Sequence, residues 1–100
     1  MNIRDETTRL GYKIVYVSNE TIGEHLACYH VEFEGKIIRP RTALKLGIPI
    51  NEIWISEQLK QLEDRILFHE LQEIRYRRQG YNSNKAHKKA RKDEIRHYGE

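Results

Sequence analysis

The sequence predicts one α+β domain, in which a small antiparallel sheet of three or four strands packs against two helices. Short segments rich in β-branched and aromatic residues come first, at about 12–17, 25–34, 36–39 and 52–55. Two charged segments with apolar residues at helical spacing follow, a long helix at 57–79 and a C-terminal helix at 84–98. The length of 100 residues suits a single domain spanning residues 1–100.

The predicted strands differ in how they are expected to be covered and connected. Residues 12–17 are apolar on both faces, which favours a central or well-covered position in the sheet. Residues 18–23 are expected to form a loop. Glu34 and Gly35 predict a tight turn, which makes the second and third strands an antiparallel hairpin.

Residues typical of helix ends mark the predicted helices. Pro40 can start a short helix, and Gly47 can end it in a left-handed conformation. Ser56 is expected to cap the long helix through its hydroxyl. Either Asn82 or Ser83 is expected to cap the last helix. The short connection between the two long helices favours an antiparallel pair.

Composition narrows the class of protein. No apolar run approaches the roughly 18 residues of a membrane span, and the N-terminus has no secretory signal, so we expect a cytoplasmic, intracellular protein with no membrane partner. Cys28 is the only cysteine, which excludes an intramolecular disulfide. A chain of this size has a thin core, which favours a homodimer.

The net charge of +3 hides an uneven distribution. Residues 74–92 hold eight basic residues and no acidic ones, whereas the rest of the chain has a net charge of −5. Such a block suggests nucleic acid as a partner, and a solvated helix surface is the alternative. The eight candidate contacts are Arg75, Arg77, Arg78, Lys85, Lys88, Lys89, Arg91 and Lys92.

A first group of metal-ligating residue types lies on the second predicted strand. His25, Cys28 and His30 fall within six residues. In an extended strand His25 and His30 face opposite sides, which argues against a shared ion. Cys28 is therefore expected to be a small buried hydrophobic residue.

A second group, His69-Glu70-x-x-Glu73, lies on the long helix. Residues four apart on a helix lie one above the other, so His69 and Glu73 point the same way, and Glu70 follows about 100° further round. Two metal ligands flanking a general base is the spacing that zinc hydrolases use in His-Glu-x-x-His helices. The sequence therefore predicts His69 and Glu73 as metal ligands and Glu70 as the catalytic base.

The last helix is predicted to supply the third ligand, which is His87, with Glu94 as the alternative. His87 and Glu94 lie two turns apart on one face of that helix, and an antiparallel pair could place either opposite His69. Histidine nitrogen and carboxylate oxygen suit zinc, and the glutamate in place of a second histidine also admits manganese or iron.

Residues 50–95 resemble a minimal zincin, a small metallopeptidase-like core with an edge strand, an active helix and a ligand on a following helix. His69 matches the first metal ligand of that family and Glu70 its catalytic base, whereas Glu73 replaces its second histidine. The resemblance implies a metal-dependent hydrolase or peptidase. Two alternatives remain open: a basic nucleic-acid-binding protein that uses residues 74–92, and a non-catalytic structural or oligomerisation domain.

Overall fold

The computed structural model describes residues 2–100 and confirms an α+β fold with a four-stranded sheet. None of the described helices is both long and apolar enough to cross a membrane. The elements are α1 (Ile3–Arg9), β1 (Lys13–Val17), α2 (Asn19–Ile22), β2 (Ala27–Phe33), β3 (Lys36–Ile38), α3 (Arg41–Leu46), β4 (Glu52–Ser56), a 3₁₀ segment (Glu57–Leu62), α4 (Glu63–Arg78) and α5 (Ser83–Tyr98).

The strand order in the sheet is β1-β4-β2-β3. β4 runs parallel to β1 and antiparallel to β2, so the sheet is mixed, and the prediction of a wholly antiparallel sheet was wrong. β1 lies at the edge of the sheet instead of at its centre. α1 and the 3₁₀ segment pack against it, and four of its five residues are half-buried.

The predicted hairpin is confirmed. Glu34 and Gly35 both have positive φ, at 49° and 81°, as a two-residue turn matched to strand twist requires. β3 is short, and its pairing with β2 begins at Val31. Residues 27–30 of β2 therefore pair with β4 on one side only.

Alternate residues of β2 pack on opposite faces of the sheet, as a strand requires. Tyr29 and Val31 belong to the main core, which also contains Leu67, Leu71 and Ile74 of α4. Cys28 faces the other way and packs with Ala43 and Ile48. The main core thus fixes α4 across one face of the sheet.

The long helix begins later than predicted. Residues 57–62 form the 3₁₀ segment, and Leu59 departs from helical geometry at φ −110° and ψ 19°. Ser56 does not cap the helix through its side chain, because its hydroxyl donates to Asn19 Oδ1 at 2.9 Å. Asn19 belongs to α2, which occupies the predicted loop and is capped by Ser18.

The last helix packs tightly against α4. Asn82 is its cap, since its Oδ1 accepts the Lys85 N–H at 2.9 Å. Ala86 and Ala90 are fully buried, and side chains this small allow the two helix backbones to approach closely. Contacts of Tyr98 with Asp64 and of Lys89 with Tyr76 show that α4 and α5 run antiparallel, as predicted.

Candidate metal centre

Three side chains converge between α4 and α5. His69 and Glu73 lie one helical turn apart on α4, and His87 comes from the start of α5. His69 Nε2 is 3.2 Å from His87 Nδ1, and Glu73 Oε1 is 3.1 Å from His87 Nδ1 and 3.8 Å from His69 Nε2. Two imidazole nitrogens and one carboxylate oxygen therefore form a triangle with two short sides and one longer side.

The dimensions of this triangle fit a transition-metal ion. A point equidistant from the three atoms lies about 2.0 Å from each of them, which matches Zn–N and Zn–O bond lengths. A zinc site of three protein ligands leaves its fourth position for water or substrate. Among residues 2–100, this is the group whose ligand atoms could hold a metal ion.

Glu94 lies on the far side of the His69 ring from the triangle. Its Oε1 is 2.9 Å from His69 Nδ1, and its Oε2 accepts a hydrogen bond from Arg65 Nε. A carboxylate can only accept, so Nδ1 carries the proton and Nε2 keeps its lone pair for a metal. Of the two candidates for the third ligand, the structure brings His87 to the triangle and uses Glu94 to orient His69.

The charge states of these groups follow from competing effects. Burial raises the pKa of Glu94, but hydrogen bonds from Arg65 and His69 outweigh it and lower the pKa overall. Burial likewise raises the pKa of Glu73, and the nearby His69 ring, Tyr29 hydroxyl and His87 ring outweigh it and lower the pKa overall. Both carboxylates are therefore ionised at neutral pH, as a ligand and its orienting partner should be.

Glu70 lies beside the triangle but is held differently. Its side chain lines the cleft described below, and burial, reinforced by the Glu73 carboxylate, raises its pKa to about 8. No hydrogen bond contributes to that shift. At this pKa the carboxyl group is mostly protonated at pH 7, and a cation bound beside it would lower the pKa and leave a carboxylate that can accept a proton.

Two residues near the centre were not singled out from the sequence. Arg65 precedes His69 by four residues on the same face of α4, so helical spacing could have indicated it. The Tyr29 hydroxyl is fully buried without a hydrogen-bond partner in residues 2–100. Burial raises the pKa of Tyr29, and the Glu73 and Glu70 carboxylates raise it further. Tyr29 comes from β2, and no local spacing links that strand to α4.

A cleft of about 680 Å³ opens beside these residues. Its lining includes the polar residues His69, Glu70, Glu73 and His87, together with residues 24–29, the approach to β2 and its first residues. It also includes the apolar side chains of Leu59, Leu62 and Ile66. The cleft is thus large enough for a small organic molecule or a few residues of an extended chain.

His25, Cys28 and His30 do not belong to the ligand triangle. His30 Nδ1 is 2.8 Å from the Ile48 carbonyl oxygen, and His25 is exposed at the cleft. Burial raises the pKa of the Cys28 thiol to about 12, so it stays protonated at neutral pH. A protonated thiol is a poor metal ligand.

The basic residues of the 74–92 block are divided between two helices. On α4, Arg75 pairs with Glu6 and Arg78 Nε donates to the Glu34 carbonyl, whereas Arg77 Nη1 is buried with no hydrogen-bond partner among residues 2–100. The remaining five lie on α5, where Lys89 is half-buried and four are exposed: Lys85, Lys88, Arg91 and Lys92. The block is therefore not one continuous surface.

No protein-family model, curated protein or solved structure matches this chain. The class of protein must therefore be inferred from the geometry of the metal centre and its cleft.

Proposed function

We propose that this chain is a zincin-like metal-dependent hydrolase whose ion is held by His69, Glu73 and His87. The observation that carries the proposal is the triangle of ligand atoms, whose centre lies about 2.0 Å from each corner, beside a cleft-facing carboxyl. Two nitrogen ligands and one oxygen ligand favour zinc, with manganese and iron as competitors.

Each neighbouring residue has a defined part in this proposal. A bound zinc ion polarises a substrate carbonyl and lowers the pKa of water. Glu70 receives a proton from the attacking water and passes it to the leaving group, the work of a general acid–base residue. Glu94 and Arg65 hold the His69 ring with Nε2 toward the ligand triangle.

The walls of the cleft favour a peptide or another extended acyl substrate. Residues 27–30 of β2 pair with β4 on one side only, and Ala27, Cys28 and Tyr29 among them line the cleft. A strand with one unpaired edge can add an extended chain through backbone hydrogen bonds. Leu26 and Leu62 at the cleft are exposed large apolar residues, which suit apolar substrate side chains.

The test is metal content, measured by mass spectrometry on protein purified without chelator and again after zinc loading and desalting. We expect near-stoichiometric metal in the wild type and its loss in His69→Ala and His87→Ala. His25→Ala is the matched control, because His25 lines the same cleft but lies outside the triangle. Circular dichroism verifies that each variant is folded.

Two results would contradict the proposal. Wild-type protein that takes up no zinc, manganese or iron would exclude a metal enzyme and favour the structural-domain alternative. Equal metal content in His69→Ala and His25→Ala would place the ion elsewhere. If metal binds as proposed, a mixed peptide library analysed by mass spectrometry tests for hydrolysis.

A further inference from the structure

The packing of α5 places its acidic residues against α4 and most of its basic residues toward solvent. The helix has six basic and two acidic residues, and both acidic ones, Asp93 and Glu94, make hydrogen bonds to α4. The solvent-facing side carries basic residues without a carboxylate between them: Lys85, Lys88, Lys92 and Arg96. Residues three, four and seven apart share a helix face, so these cations form one stripe.

Most of this stripe has no internal counter-charge. Within residues 2–100, ion pairs engage Arg91 with Glu94 and Arg96 with Asp93, but none engages a lysine of α5. The positive potential of the lysines is therefore free to act on an external anion. We call Lys85, Lys88 and Lys92 the lysine stripe.

Two tyrosine rings lie beside Lys89, which is one helical turn from both Lys85 and Lys92. Tyr81 is 37% exposed, and its ring centroid is 5.9 Å from that of Tyr76 at an interplanar angle of 78°. Lys89 Nζ lies 4.7 Å from the Tyr81 centroid and 5.7 Å from the Tyr76 centroid. Both rings are thus held in place next to a cation, with one open to solvent.

We propose that the lysine stripe and Tyr81 bind single-stranded nucleic acid, with the lysines on phosphates and the tyrosine ring stacked on an unpaired base. Cations that follow a backbone beside an exposed aromatic ring are the features that sequence-tolerant single-strand binders combine. An anionic membrane surface fits less well, because the exposed residues of α5 from Ser83 to Arg96 are all polar and none could insert between lipids. This activity does not depend on the metal centre.

The test uses fluorescence anisotropy of a labelled single-stranded oligonucleotide over a salt series. Each lysine–phosphate contact contributes about 0.7 to the slope of log affinity against log salt for single strands. The Lys85→Gln/Lys88→Gln/Lys92→Gln variant should therefore lower the magnitude of that slope by about 2. Arg9→Gln/Lys13→Gln/Lys45→Gln removes the same charge from other exposed positions and should leave the slope nearly unchanged.

Tyr81 is tested separately. Tyr81→Leu should weaken oligonucleotide binding about 5- to 100-fold, and Tyr81→Phe, which keeps the ring, should retain most of it. His69→Ala should bind as the wild type does. Three results would each overturn the proposal. The two triple variants could lose binding equally, the protein could bind only anionic vesicles, or it could bind duplex with an affinity that Tyr81→Leu does not change.

Discussion

Glu94 Oε1 lies 2.9 Å from His69 Nδ1, and Arg65 holds the other oxygen of the same carboxylate. The His69 ring is thereby fixed from behind, with its other nitrogen toward Glu73 and His87. Carboxylate–histidine pairs of this kind set the tautomer and raise the basicity of a ligating histidine. A carboxylate on α5 can therefore orient a ligand of the proposed metal centre without being a ligand itself.

Glu94→Ala should weaken zinc binding about 10- to 100-fold, because the His69 ring then loses the partner that orients it. Competition with a chromophoric chelator measures the dissociation constant. Asp93→Asn is the control, since Asp93 accepts hydrogen bonds from Gln72 and Tyr76 and, within residues 2–100, makes none with the triangle residues. An affinity that falls equally in both variants would show a general loss of helix packing instead.

Glu70→Gln should keep zinc and lose hydrolysis. The substitution preserves shape but removes the proton-accepting oxygen, and general acid–base catalysis is typically worth about 10²- to 10⁴-fold in rate. Metal content by mass spectrometry and turnover of a cleaved library peptide are measured on the same sample. A variant that hydrolyses at the wild-type rate would remove Glu70 from the mechanism.

Zinc should raise the melting temperature of the wild type. An ion at 100 times its dissociation constant stabilises the folded state by about 2.7 kcal/mol. For a domain of this size that corresponds to a shift of about 10–20 °C. His69→Ala should show no shift, and excess chelator should reverse the wild-type shift; scanning calorimetry measures all three.

Ala90→Leu should disturb the metal centre through packing. Ala90 is fully buried on α5 near α4, so a larger side chain forces the helices apart and costs about 1–3 kcal/mol. Zinc affinity should fall because His87 moves away from His69. Ala43→Leu is the matched control: Ala43 is equally buried, but in the second cluster beside Cys28, so stability should fall while zinc affinity is kept.

Asp93 should contribute to stability in a pH-dependent way. Burial raises the pKa of Asp93, but hydrogen bonds from Tyr76 and Gln72 outweigh it, so its folded-state pKa is lowered. The stabilisation is therefore present above the unfolded pKa of about 3.9 and is lost as the pH falls through the folded value. In urea unfolding, the stability gap between wild type and Asp93→Asn should narrow from pH 6 to pH 3. A gap that stays constant would contradict this assignment.

Local sequence patterns predicted those features that depend on a few neighbouring residues. Glu34-Gly35 predicted a tight turn because a short hairpin needs positive φ at both positions. Gly47 ends α3 in the left-handed conformation, as expected of a glycine after a helix. His69, Glu70 and Glu73 lie together because their relative directions follow from helical geometry alone.

Features that depend on contacts between distant segments could not be predicted from local patterns. β4 pairs in parallel with β1 across a connection that contains α2, β2, β3 and α3, and no local pattern encodes that pairing. The Ser56 hydroxyl bonds to Asn19, 37 residues away, instead of capping the next helix.

The proposed metal centre shows the same division. That His69 and Glu73 share a helix face follows from the sequence, because both belong to one α-helix with a fixed repeat. The sequence favoured His87 as the third ligand but kept Glu94 as the alternative, since both lie on one face of α5. Ala86 and Ala90 pack against α4 and set the position of α5 along it. This position brings His87 to the triangle and Glu94 to Nδ1 of His69. The register between two helices is set by the packing of side chains from both, so it cannot be predicted from either helix alone.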